Sequence, residues 1–340
     1  MPSTVLRTKL CDLLEIEYPI LLAGMGGVAR AELVAAVSEA GGLGIIGAAA
    51  MSPRTISEEI RRVRSLTSRP FGVDLILPAN AQSGGDTGTR LAFAGWESIQ
   101  QQMDAVLDER PPVFASGLGN PAPWLDRMHG LGMKVICLTG NVRNAKRLAA
   151  SGADVIVAQG HEAGGHTGRI GTFALLPQVI DAVAPIPVVA AGGVGDGRAL
   201  AAVIAMGGVG VWVGTRFIAT IEAAAHPNYK TKLLESTEED TIVTRSYSGK
   251  PMRNVTNRWI EDWESRPQDI QPFPKQLAIA GAKIDAGIRD GDTETGCLPA
   301  GQITGLITEI KPARAIVEEM VQQAAEILSE RLPTEVLVRR

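Results

Sequence analysis

Cysteine is nearly missing from this chain: Cys11, Cys137 and Cys297 are all it has, far apart and without metal-ligand spacing. A reduced, cytoplasmic protein with no metal is expected. An excess of one charge is missing too. The 33 basic residues are balanced by 37 acidic ones, for a net charge of -4. Such a balance argues against nucleic acid or a membrane surface as a partner. The start MPSTVLRTKLCDLLEIEYPI lacks the apolar core of a signal peptide, and no uncharged run reaches transmembrane length. Aromatics are scarce as well, at 4% of 340 residues. Glycine is abundant instead, at 38 residues, which implies tight backbone approaches and alanine-rich helix packing.

Eight short apolar runs, at 19–24, 42–47, 71–77, 113–119, 134–140, 154–160, 187–193 and 210–215, are each followed by a polar turn. Helical patterns with a rough 3.6 period lie between them at 30–40, 53–65, 95–108, 122–130, 142–151, 173–183 and 197–206. Strand–helix alternation with short turns requires a parallel sheet flanked by helices. Eight units close a (β/α)8 barrel. A doubly wound open sheet is the alternative, and the lack of a G-x-G-x-x-G fingerprint leaves it unsupported. The reading is therefore α/β, with the barrel at 1–225. A mostly helical substrate or lid region at 226–310 lies over its catalytic face, and a C-terminal segment at 311–340, with an amphipathic helix read at 309–332, packs back on the barrel.

In a barrel the loops after the strands meet at one face, and that face holds the active site. The loops that stand out are 23–28 (AGMGGV), 74–88, 159–168, 192–197 (GGVGDG) and 214–216. The third-strand loop reads either as a lid or as a surface insertion. The sixth strand runs into QGHEAGGHTG, where glycines admit a ligand close to the backbone and His161 and His166 can trade protons near neutral pH. His166 follows Gly164-Gly165 and is favoured for proton transfer; His161 either contacts substrate or satisfies a backbone carbonyl. Glu162 is read as a loop anchor, and His129 and His226 as structural. Gly192-Gly193 and Gly214-Thr215 close strands seven and eight, where barrels commonly bind a phosphate; tight turns alone are the other reading. Arg245, Lys250, Arg253 and Arg258 form a basic cluster, either a solvated face or a receiver of substrate or nicotinamide phosphates. Cys137 is read as a small buried hydrophobe.

The blocks AGMGGVA, EAGGLGIIG, PFGVDL, GHEAGGHTG, PVVAAGGVGDG, VGTRF, HPNYK and AGQITGLI together resemble the nitronate monooxygenase family, formerly the 2-nitropropane dioxygenases. Flavin-dependent enoyl-ACP reductases share nearly all of them. The resemblance implies a TIM-like barrel, an FMN cofactor and His166 as the catalytic group. It implies that Gly192, Gly193 and the turn Trp212, Val213, Gly214 and Thr215 hold the FMN phosphate. Ala23, Gly24 and Met25 would lie at the flavin ring, with Gln159, Gly164, Gly165 and Gln302 also in contact. Asp74 sits where the family often has asparagine, and a carboxyl can donate there only when protonated. The implied reaction is oxidation of an alkyl nitronate by O2 to a carbonyl compound and nitrite. The alternatives are NAD(P)H-dependent reduction, or the reverse dehydrogenation, of an activated C=C bond in an acyl thioester, and flavin binding without turnover. A homodimer is left open.

Overall fold

A computed structural model of the chain describes residues 6–77 and 99–336. Strands β1 (Ile20–Leu22), β2 (Gly44–Gly47), β3 (Phe71–Ile76), β4 (Val113–Leu118), β5 (Lys134–Thr139) and β6 (Val155–Gln159) come first, followed by the two-residue β7 (Gly165–His166). Then come β8 (Val188–Ala191), β9 (Val211–Val213), β10 (Thr241–Thr244) and β11 (Met252–Val255). Eight of them form one parallel sheet in the order β1-β9-β8-β6-β5-β4-β3-β2. The Leu22 N–H donates to the Leu43 carbonyl and the Leu43 N–H to the Ile20 carbonyl, both at 2.9 Å, joining the two ends. The fold is a (β/α)8 barrel, and every expected run contains one of its strands.

Alternation along each strand divides the core into two layers. Leu21, Ile45, Ala115, Ile136, Val155, Val157, Val189, Ala191 and Trp212 fill the interior. Ile20, Leu22, Val73, Phe114, Val135, Ile156, Ala158, Val211 and Val213 face the helices. Cys137 belongs to this outer layer, where burial pushes its thiol up to about 12 and keeps it an apolar filler.

Helix Pro53–Leu66 shows how local sequence sets an outer element. Ser52 caps it, its Oγ accepting from the Thr55 N–H at 3.2 Å, and Pro53 supplies a preset φ in the first turn. Its Ile56, Ile60 and Val63 are buried, each contributing about 1.5–3 kcal/mol. Helix Ala31–Glu39 comes so close to β2 that a Cβ on Gly44 would lie 2.0 Å from the Val34 carbonyl oxygen. An alanine there would drive the two elements apart.

An N-terminal helix, Lys9–Leu14, plugs the barrel floor, which the sequence pattern did not suggest. Its Leu10, Cys11 and Leu14 join the interior cluster, and Thr8 donates to the Val209 carbonyl. At the other end of the chain, Ala313–Glu326 buries Ile316, Val317, Met320, Val321 and Ala324. It packs on helices Gly197–Ala205 and Ala31–Glu39, and a Cβ on Gly197 would meet the Met320 carbonyl oxygen at 2.4 Å.

Between them, residues 226–310 hold helices such as Pro227–Glu235 and Arg258–Glu264, and also two strands where none was expected. β10 and β11 form an antiparallel hairpin, and β11 pairs in turn with β7 from the sixth barrel loop. The hairpin was hidden because β11 reads Met-Arg-Asn-Val and is buried throughout, so it shows no polar–apolar alternation. From residue 78 onward, the 74–88 loop lies outside the described residues. Among the described residues, no helix is long and apolar enough to cross a membrane.

Candidate active site

The C-terminal ends of the strands bring most of the expected residues to one mouth. Gly24 packs directly on Asp74, where a Cβ would lie 2.3 Å from the Asp74 Cβ. Gly214 faces Ala23 and the Met25 sulfur at 3.5 and 3.6 Å from its Cβ position, and Gly47 abuts the Met25 backbone. On the opposite side Gly192 meets Gly160 and Ala163, and Gly164 meets Ala300 and Gly301. The Gln302 N–H donates to the Glu162 carbonyl at 3.0 Å and the Gly301 N–H to Thr215 Oγ1 at 2.9 Å, tying the AGQ segment to two barrel loops. The Gln302 side chain is exposed. Val213 packs with the helix-facing residues, so its side chain is not part of the mouth.

Gly192 and Gly193 have φ of +88° and +76°, a conformation that favours glycine. The N–H groups of Gly193 and Gly214 have no hydrogen-bond partner among the described residues. Free backbone donors beside small side chains are what an anionic group needs.

Asp74 is 6% exposed, and its Oδ1 accepts from the Gly117 N–H at 2.7 Å. Burial lifts its carboxyl well above the ordinary carboxylate range, outweighing that hydrogen bond. Burial thus favours the protonated form, the only form in which an acid in place of asparagine can donate. Gln159 Nε2 donates to the His166 carbonyl at 3.0 Å.

His166 lies on β7, opposite Met252 of β11. Its Nε2 is 3.1 Å from Ser248 Oγ, on the turn between β10 and β11. Burial first, and the Lys250 charge second, push its imidazole down to about 4. It is thus neutral near pH 7 and available as a proton acceptor. His161 is occupied differently, with Nδ1 2.8 Å from the Gly168 carbonyl oxygen, which assigns that nitrogen as the N–H donor. Satisfying a backbone carbonyl was one of the two roles open to it.

Glu162 anchors its loop: its carboxylate accepts from the Thr172 N–H at 3.0 and 2.9 Å and from Thr172 Oγ1 at 3.1 Å. His129 pairs with Asp154 at 3.0 Å at the start of β6, and His226 caps Pro227–Glu235 by accepting from the Asn228 N–H. His129 thus lies at the opposite end of the barrel from the mouth, and His226 is taken up by its helix.

The basic cluster divides. Arg245, Lys250 and Arg258 are exposed, while Arg253 is buried. Its guanidinium donates to the His161 carbonyl at 3.2–3.3 Å and to Thr241 Oγ1 at 3.2 Å, so it clamps the histidine loop and takes no part in a surface patch. Sequence reading missed this clamp and missed Ser248, which lies 82 positions from the histidine it touches.

The sequence pattern of the nitronate monooxygenase family matches residues 7–323. A Staphylococcus aureus protein named "probable nitronate monooxygenase" is 34% identical over 355 aligned positions, covering 95% of this chain and 98% of its own. FabK from Thermotoga maritima superimposes with a TM-score of 0.86 at 35% identity, over 98% of this chain and 100% of its own. A nitroalkane oxidase from Streptomyces ansochromogenes does so with 0.83 at 32% identity, over 95% and 99%. With a family match over nearly its whole length and a barrel mouth built around a neutral histidine, this chain belongs to the nitronate monooxygenase family and is an oxidoreductase of the flavin-dependent kind.

Proposed function

We propose that the chain is a cytoplasmic, FMN-dependent nitronate monooxygenase that oxidises alkyl nitronates with O2 to a carbonyl compound and nitrite. The observation that carries this reading is His166, a half-buried neutral imidazole in the mouth loop with Nδ1 lacking a partner among the described residues. Such a group can accept the proton on the carbon α to a nitro group. The mouth also fits the cofactor. The free N–H groups of Gly193 and Gly214 suit its phosphate, with Gly192, Trp212, Val213 and Thr215 framing that turn. Ala23, Gly24, Met25, Asp74, Gln159, Gly164, Gly165 and Gln302 would contact the rest. When bound, FMN supplies the electron acceptor and the partner for O2.

The chain's own contribution is orientation and proton transfer. Glu162 and Arg253 hold the loop from two sides, and the pairing of β7 with β11 fixes the histidine backbone. Burial of Asp74 favours its protonated form, which would bring a donor to the mouth.

A second reading, NAD(P)H-dependent reduction of an acyl-thioester C=C bond, is favoured by Lys250 and Arg245 standing exposed on the turn that carries Ser248. Anaerobic mixing of FMN-loaded protein separates the readings. Loss of visible flavin absorbance with nitronate, and not with NADPH, is the expected result. Loss with NADPH alone would establish the reductase, and loss with neither would leave a flavin-binding protein without turnover.

A further inference from the structure

The turn joining β10 to β11 places a serine on the proposed base, and the hydrogen bonds around its hydroxyl determine which imidazole nitrogen is free. Ser248 Oγ has three neighbours. It is 3.1 Å from His166 Nε2, it donates to the Lys250 carbonyl at 3.2 Å, and it accepts from the Lys250 N–H at 3.2 Å. A hydroxyl has one proton and two lone pairs. All three contacts are made only if the proton goes to the Lys250 carbonyl, one lone pair takes the Lys250 N–H and the other takes a proton on His166 Nε2. In the opposite tautomer the serine proton would turn to Nε2, and the Lys250 carbonyl would lose that bond.

We propose that Ser248 is a positioning residue that holds neutral His166 as the Nε2–H tautomer, leaving Nδ1 as the proton-accepting atom. The proposal rests on the reading of His166 as the base. Its chemical consequence is that the serine accepts from Nε2–H both before and after proton transfer. When Nδ1 takes the substrate proton, the hydroxyl need not rotate and no buried hydrogen bond is broken. This is the logic of a base oriented by a third group, with a hydroxyl in place of the usual carboxylate. A carboxylate would raise the basicity of the imidazole through its charge, whereas a hydroxyl fixes the tautomer without doing so. The charged group facing His166 is Lys250 on the same turn, which also disfavours the imidazolium. Its ammonium sits 4.1 Å over the Phe273 ring.

The test uses the full-length protein labelled with 15N-histidine, with His166 assigned by the signal lost in His166→Gln. Two-bond 1H–15N spectra at neutral pH should show His166 as the Nε2–H tautomer. In Ser248→Ala the tautomers should mix, and Ser248→Thr, which keeps the hydroxyl, should restore the wild-type pattern. In kinetics, Ser248→Ala should lower kcat/KM for a neutral nitroalkane about tenfold, with preformed nitronate affected less than about twofold. An Nδ1–H tautomer in the wild type overturns the proposal, and that spectrum decides the matter even if Ser248→Ala is unstable. Unchanged tautomer and turnover in Ser248→Ala overturn it as well. If the tautomer is as stated but nitroalkane is never turned over, the base reading fails while the tautomer assignment stands.

Discussion

The floor and the mouth of the barrel are built from the same eight strands by opposite means. At the floor, Leu10, Cys11 and Leu14 fill the interior with apolar atoms, and the one histidine nearby, His129, leans out to a carboxylate at the surface. At the mouth, side chains give way to glycine, backbone donors are left without partners, and burial disfavours the charged forms of Asp74 and His166. The floor gains stability from contacts already made. The mouth holds polar groups in reserve at a cost in stability, as binding and catalytic sites commonly do.

This contrast can be broken at several points. The largest effect on stability is expected at the floor. Leu10→Ala should lower unfolding free energy by about 2–5 kcal/mol, measured by urea titration, with FMN affinity unchanged. A loss of FMN affinity of similar size would show that the two ends are coupled.

At the mouth, His166→Ala should retain FMN and keep near-normal stability. Turnover of a neutral nitroalkane should fall about 10²-fold or more, while preformed nitronate suffers much less. Equal loss with both substrates would make His166 an electrostatic or orienting group. The wild-type kcat/KM for the neutral substrate should hold down to an acid limb near about 4, below the ordinary 6.5. The stability linkage has a definite sign. Between those two values the unfolded chain takes up a proton that the native imidazole refuses, so stability is lost as pH falls through that window.

Asp74 should show the reverse. Above the ordinary carboxylate range the unfolded chain releases a proton that the native carboxyl keeps, so stability falls as pH rises. Asp74→Asn should therefore be more stable than the parent at neutral pH by roughly 1–2 kcal/mol, with the gain gone near pH 3. A variant less stable at neutral pH would mean that the carboxyl is ionised and useful there. The smallest effect belongs to the floor histidine. His129→Ala removes a half-exposed contact, so melting should show a cost within about 1 kcal/mol and turnover should be unchanged.

How much of this was legible in sequence follows the same division. The barrel could be read because each strand is a Val- or Ile-rich run ended by glycine or a polar turn, a local signal. His166, Gly192 and Gly193 could be singled out for the same reason. The N-terminal plug could not, because six residues of Lys-Leu-Cys-Asp-Leu-Leu are too short to show a period. Nor could the hairpin, because Arg253 and Asn254 are polar residues made burial-competent by partners far away in sequence, such as the His161 carbonyl and Cys297. Ser248 lies in a turn that any small polar residue could occupy. Only the register between β11 and β7 brings it to His166.

That register limits how the turn can vary. Met252 stands opposite His166 and Arg253 opposite Gly165, and side chains alternate along a strand with a period of two. One residue added or removed between β10 and β11 would slip the pairing, swapping which side chains of β11 face the histidine loop and withdrawing the arginine from the His161 carbonyl. The turn can therefore drift in composition at exposed Arg245 and Pro251 while its length stays fixed. An insertion here, remote from the barrel strands in sequence, would disable the enzyme while leaving the barrel folded.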